Sequence, residues 1–112
     1  MTRRVLLAVY EAPGLGGAAT SAYALFRKML GDGIDVHLVN MIDACDLPYV
    51  QYVLGETYGN PHRLPNVHSC VLDGSPSRRR DALARLVEAV APEVILGYGD
   101  IAASLLKPNL RS

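Results

Sequence analysis

Apolar runs alternate with amphipathic stretches along most of this chain. The run Arg3–Tyr10 is almost continuously apolar, which is typical of a parallel strand that is covered on both faces. After the glycines that follow it, Thr20 or Ser21 can cap a helix that reaches about Leu30, because apolar residues recur there at helical spacing. The glycine-containing turn at 31–33 ends this helix.

Three further apolar stretches predict strands, and they span residues 34–41, 67–72 and 93–98. A second helix is predicted to start after Ser75, which can cap it, with Pro76 at its first position, and to end before Pro92. Asp100 can cap a last short helix. Between 42 and 66 prolines and glycines interrupt the pattern, and at most a short helix is expected there.

This alternation of strands and helices predicts an α/β fold with a parallel sheet and right-handed crossovers. We expect a single Rossmann-like domain over residues 1–112, with three layers and about four strands in the order 3-2-1-4. In that order the fourth strand has an unpaired apolar edge. We therefore expect a further strand, a second domain or a dimer partner to cover it.

Composition excludes several classes of protein. Eleven Lys and Arg balance eleven Asp and Glu, and half of the residues are hydrophobic, so neither a nucleic-acid-binding charge nor disorder is indicated. The apolar runs are far shorter than the ~20 residues that span a bilayer. Cys45 and Cys70 lack paired spacing, which predicts free thiols and a cytoplasmic location.

The strongest chemical signal is the glycine-rich loop between the first strand and the first helix. Free amide groups at the start of a helix favour phosphate or another anion, and Gly16 and Gly17 are the candidates to present them. The segment Gly14–Ala19 also fits the GxGxxA pattern of dinucleotide-binding domains. Such a domain would need an acid at the end of the second strand, where this chain offers Asn40, with Asp43 three residues later. A turn without any ligand is a further alternative.

Other side chains follow strands at the carboxyl edge of the predicted sheet, where ligands of α/β proteins bind. Glu11, Tyr98 and Asp100 are candidates for contact with a substrate. Three tyrosines that follow the second strand can either stack on a ligand or seal their loop against the core: Tyr49, Tyr52 and Tyr58.

A metal site and an arginine site are less favoured by the pattern. His37, His68 and Cys70 can share one face of the sheet, but structural zinc usually takes four ligands with close paired spacing. We therefore expect ordinary packing and no metal. The run Arg78–Arg80 lies on the first turns of an amphipathic helix, which is typical of a solvated face.

Three segments together resemble the amino-terminal domain of glycosyltransferases with the GT-B fold, and of the family 4 group in particular. Gly16–Ala19 opens a helix as in that family, and Gly33–Val39 is similar to its following turn and second strand. Pro92–Leu96 is similar to its "Pro-Asp-Val-Ile" strand. The resemblance covers most of the chain except residues 42–66.

The resemblance implies the acceptor-side half of an enzyme that transfers a sugar from a nucleotide-sugar to an acceptor. Gly16 and Gly17 would then donate backbone N–H groups to the leaving diphosphate, and no cofactor is implied. The family's second domain and fifth strand have no counterpart in these 112 residues, so we expect them to be inactive alone. The alternatives are a dinucleotide-binding fragment and a non-catalytic docking module.

Overall fold

A computed structural model describes residues 3–11, 17–58 and 65–99. Four strands alternate with helices along the chain. In order they are β1 (Val5–Glu11), α1 (Gly17–Gly31), β2 (Val36–Asp43), a 3-10 turn (Ala44–Asp46), α2 (Leu47–Tyr58), β3 (Val67–Leu72), α3 (Pro76–Val90) and β4 (Val94–Tyr98).

The strands form one parallel sheet in the order β3-β2-β1-β4. This confirms the predicted α/β class and strand order. Helices α1 and α2 pack on one face of the sheet and α3 packs on the other, which gives three layers. In the register of the sheet, Val9 of β1 lies beside Asn40 of β2 and Tyr98 of β4, so these three side chains share the α1 face.

Strand β1 is buried on both of its faces. Its odd-numbered residues, such as Leu7 and Val9, pack in a cluster with Tyr23 and Phe26 of α1. Its even-numbered residues pack with Leu83 and Val90 under α3. Each fully buried aliphatic side chain contributes roughly 1.5–3 kcal/mol relative to exposure. The continuous apolar pattern of this strand therefore reflects two separate cores, one on each side.

Helix α1 begins earlier than the sequence predicts. Its first residue is Gly17, so Thr20 and Ser21 lie within the helix and the predicted cap is wrong. The physical reason is that Ala18 and Ala19 are strong helix formers and extend the helix ahead of the first hydroxyl side chain.

Helix α2 is longer than the short helix expected in this irregular segment. It has twelve residues, and Pro48 lies in its first turn, where a missing N–H removes no intrahelical hydrogen bond. Val50 is fully buried in the cluster under α1 and fixes α2 to the sheet. Burial of this side chain, which periodicity does not reveal, stabilises the helix.

The remaining elements are close to the prediction. β3 has the predicted bounds, β2 is displaced by two residues at both ends, and Glu93 lies just outside β4. Ser75 caps α3, with Pro76 at its first position. Both cysteines are free, and no helix within the described ranges has the length and apolar character needed to cross a bilayer. The predicted helix after Asp100 lies outside the described residues.

Helix α3 ends at a residue in the left-handed conformation. Ala91 has φ 53° and ψ 55°, and its N–H donates to the carbonyl of Val87. This conformation costs an L-residue with a Cβ roughly 1–2 kcal/mol, whereas glycine adopts it freely.

We therefore expect Ala91→Gly to raise the free energy of unfolding by about 0.5–1 kcal/mol, after the entropy that glycine adds to the unfolded chain. The matched control is Ala89→Gly at an exposed position inside α3, which should lower it by about 1 kcal/mol. Urea unfolding measures both variants. A loss of stability in both would show that Ala91 is not strained.

Candidate functional site

The sheet has a topological switch point between β1 and β4. The chain leaves β1 toward α1 on one face and enters β4 from α3 on the other face. In open α/β sheets ligands bind outside the carboxyl ends of the strands at such a point. The described residues that border it include Glu11, Gly17 and Tyr98.

Glu11 is the last residue of β1 and is fully buried. It lies on the α1 face, since its register partner is Ile42 in the cluster under α1. Neither of its carboxyl oxygens has a hydrogen-bond partner among the residues that the structure describes. Burial, which disfavours the ionised form, raises the pKa of this carboxyl from 4.5 to about 7.

Asn40 of β2 is a second buried polar side chain on the same face. Its Oδ1 accepts a hydrogen bond from the Tyr23 hydroxyl of α1 at 2.7 Å, while its Nδ2 has no partner. Within the described parts of the chain, the buried side-chain polar atoms without a partner are this nitrogen and the two Glu11 oxygens. All three therefore lie on one face, on adjacent strands.

Tyr98 ends β4 and reaches this face as well. It is half-buried and packs against the cluster under α1, with Val9 between it and Asn40 in the register. The structure thus brings together Glu11 and Tyr98, which the sequence singled out as binding residues. Sequence reasoning missed the role of Tyr23, and it considered Asn40 only as a substitute for an acid. The available signal was the alternation Val36, Leu38, Asn40 along β2, in which a polar residue takes a core position.

The predicted glycine site is described in part. Gly17 is the exposed first residue of α1, and a Cβ placed on it would meet no atom within 4 Å. The surrounding protein therefore leaves open space beside the first turn of α1, whose leading N–H groups lack intrahelical acceptors. Gly16 and Asp100 lie outside the described residues.

Two tyrosines of α2, Tyr49 and Tyr52, do not seal this segment to the core. Tyr49 is 52% exposed and Tyr52 is 67% exposed, so of the two interpretations left open, sealing is wrong for both. The side chain of Tyr58 is outside the described set.

A separate polar cluster occupies the opposite face at the same edge. Asp43 accepts hydrogen bonds from the Tyr10 hydroxyl and from the Arg79 guanidinium. Burial and the bond to Asp43 raise the pKa of Tyr10 to about 12. Arg78 and Arg80 are exposed as predicted, but Arg79 is not simply solvated, because it ties the first turn of α3 to the end of β2.

The histidines pair at the amino-terminal half of the sheet. His37 Nδ1 lies 2.9 Å from His68 Nε2, and the other ring nitrogen of His37 lies 3.4 Å from Asp35 Oδ1. Arg4 donates to Asp35 at 2.9 Å, which lowers the pKa of that carboxyl. Burial lowers the pKa of His68.

The facing ring nitrogens of this pair are occupied by each other. The ring centroids are 5.2 Å apart and the ring planes differ by 12°. Because the facing nitrogens are only 2.9 Å apart, the two rings lie nearly in line and meet edge to edge. In the described ranges no three His, Cys, Asp or Glu side chains are arranged to hold a metal ion. The cluster is a hydrogen-bonded chain from Arg4 to His68 that stabilises the fold.

Comparisons with protein-family models, with curated proteins and with solved structures find no significant match to this chain. Its function is therefore argued from the geometry of the site.

We expect Glu11 to make stability fall as pH rises through a defined window. Below pH 4.5 the carboxyl is protonated in both the folded and the unfolded chain; from there to about pH 7 the folded protein keeps a proton that the unfolded chain has lost. The free energy of unfolding should fall by about 3 kcal/mol across this window and level off above it.

Urea unfolding at a series of pH values measures this decline as the difference between the wild type and Glu11→Gln, which cannot titrate. The control is Glu56→Gln, which removes an exposed carboxyl of α2 and should retain the decline. Identical pH profiles for the wild type and Glu11→Gln would contradict the burial of an unpartnered carboxyl.

Proposed function

We propose that this chain is the acceptor-side domain of a GT-B type glycosyltransferase and binds its substrates at the carboxyl edge of the sheet. The observation that carries the proposal is Glu11 at the switch point, a fully buried carboxyl that has no hydrogen-bond partner within residues 3–11, 17–58 and 65–99. An unpaired buried polar group costs about 1–3 kcal/mol. Such a cost is typical of sites that bind a ligand.

The charges around this edge favour a ligand with two different parts. The start of α1 at Gly17 favours an anion through its amides and helix dipole. A phosphate beside Glu11 would oppose the carboxylate, so that position suits a neutral, hydrogen-bonding group. A nucleotide-sugar with its acceptor offers both, because the diphosphate is anionic and the sugars carry hydroxyl groups.

The roles of the residues follow from this division. Amides of Gly16 and Gly17 would stabilise the charge that develops on the leaving diphosphate. Glu11, Tyr98 and Asp100 would contact the acceptor. Because the resembled enzymes hold most of the donor with a second domain, we expect these 112 residues by themselves to bind ligand without transferring sugar at a useful rate.

The two alternatives differ in their support. A dinucleotide-binding domain needs a free acid after the second strand, but Asn40 is bonded to Tyr23 and Asp43 is bonded to Tyr10 and Arg79. A docking module is favoured by one observation. Among the described strands β4 pairs with β1 alone, and its Leu96 is 39% exposed.

Amide chemical shifts of the labelled protein test the proposal during titration with UDP-glucose, GDP-mannose and NAD. We expect at least one nucleotide-sugar to shift the Gly17 amide. The start of α3 is an internal control, because it is also a helix N-terminus but Ser75 caps it, and its amides should not move. A response to NAD alone would favour the dinucleotide alternative, and no response to any of the three would favour the docking module.

A further inference from the structure

Building on the proposed function, we infer that Glu11 and Asn40 form a subsite for one hydroxyl group of a neutral sugar or polyol. In this subsite the hydroxyl donates a hydrogen bond to the Glu11 carboxyl and accepts one from Nδ2 of Asn40. The proposed function alone does not say which group of the substrate this face of the sheet binds.

The register of the sheet places the two side chains within reach of one small group. Val9 lies beside Asn40 and Glu11 lies beside Ile42, so Glu11 and Asn40 are diagonal neighbours on adjacent strands, with their Cα atoms about 7–8 Å apart. Both are fully buried on the same face. Diagonal neighbours of this kind are bridged when a side chain is long, and the Glu11 side chain is long enough for an intervening oxygen atom to contact both.

The hydrogen-bonding capacities of the two groups are complementary to a hydroxyl. Above about pH 7, where the Glu11 carboxyl is ionised, it only accepts hydrogen bonds, whereas an amide nitrogen only donates them. Among the described residues, neither the Glu11 oxygens nor Nδ2 of Asn40 has a partner. A hydroxyl does both with one oxygen. A phosphate oxygen would satisfy Asn40 and be repelled by the carboxylate, whereas an ammonium group would satisfy Glu11 and leave the Asn40 donor unpaired.

Tyr23 fixes the orientation of this subsite. Its hydroxyl donates to Oδ1 of Asn40 at 2.7 Å and is itself held by α1. Because Oδ1 accepts this bond, the amide oxygen of Asn40 faces Tyr23 of α1, and Nδ2 is the donor that remains for a ligand. Tyr23 is therefore a positioning residue for the subsite.

The subsite explains why the Glu11 carboxyl and the Asn40 amide nitrogen are buried beside the apolar cluster under α1. Apolar side chains of similar shape would avoid the cost of burying these polar groups. We would therefore expect apolar residues at these positions if no ligand bound there. A bound hydroxyl group satisfies the Glu11 acceptor and the Asn40 donor at once. A site built to bond a hydroxyl discriminates strongly against ligands that lack it.

The experiment is done at about pH 8, where Glu11 is ionised. It titrates the labelled protein with D-glucose, D-galactose, N-acetyl-D-glucosamine and myo-inositol, and separately with UDP. We expect at least one neutral polyol to shift the side-chain amide signal of Asn40 and the carboxyl carbon of Glu11. Glu11→Gln should weaken that binding about tenfold or more and leave the binding of UDP unchanged. The matched control is Asp73→Asn, which neutralises an exposed carboxyl after β3 at the same edge and should keep the wild-type affinity.

The outcomes separate this inference from the proposed function. Binding of UDP with no polyol response at Glu11 or Asn40 would overturn the subsite and leave the proposed function in place. A polyol response without any nucleotide binding would support the subsite and contradict the glycosyltransferase. Equal polyol affinity in the wild type and Glu11→Gln would mean that a buried water satisfies these groups, and would overturn the inference.

If Glu11→Gln does not fold, the wild-type titration still decides, because the signals of Asn40 and Glu11 are read directly. Tyr23→Phe adds a test of positioning. It should weaken polyol binding and broaden the Asn40 side-chain signal while UDP binding persists. Unchanged polyol binding in this variant would contradict the assigned geometry.

Discussion

The burial of β1 on both faces is the constraint on which the rest of this structure depends. A parallel strand at the centre of a sheet needs apolar side chains on each side, and Leu6, Leu7, Ala8 and Val9 provide them. Helices α1 and α3 are held on opposite faces by these residues. The same constraint carries the end of the strand into the interior, which is why Glu11 is buried although it is charged in water.

Glu11 differs in its surroundings from the acids at the two ends of β2, which are Asp35 just before the strand and Asp43 at its last position. Asp35 is paired with Arg4, and Asp43 is paired with Tyr10 and Arg79. Glu11 has no such partner in the described part of the chain, and it lies diagonally across from Asn40, whose Nδ2 is likewise unpaired there. Among the described residues, these two acids are satisfied in two clusters, while the buried polar groups at the switch point, where open α/β sheets bind ligands, are left without partners.

Sequence patterns predicted the bounds of β3 because hydrophobic periodicity reports directly on which faces are buried. The fold class and the strand order followed from the alternation of strands and helices, which is typical of a Rossmann-like sheet. They misplaced the start of α1, where alanine propensity extended the helix ahead of Thr20. They also underestimated α2, which depends on the tertiary contact of Val50. For the candidate site, position along the chain predicted Glu11 and Tyr98, and the structure places both on the α1 face of the sheet. The other residues of this site, Tyr23 and Asn40, come from other elements, and only the packing of α1 on β2 brings them together.

The most direct test of this account is the titration of the Glu11 carboxyl carbon, followed by nuclear magnetic resonance in the folded wild-type protein. A carboxyl in a dry interior without a partner should change its charge near pH 7, since its pKa is raised to about 7. A midpoint near the 4.5 of an ordinary glutamate would mean that the group is hydrated or paired in solution. The open polar site at the end of β1 would then not exist.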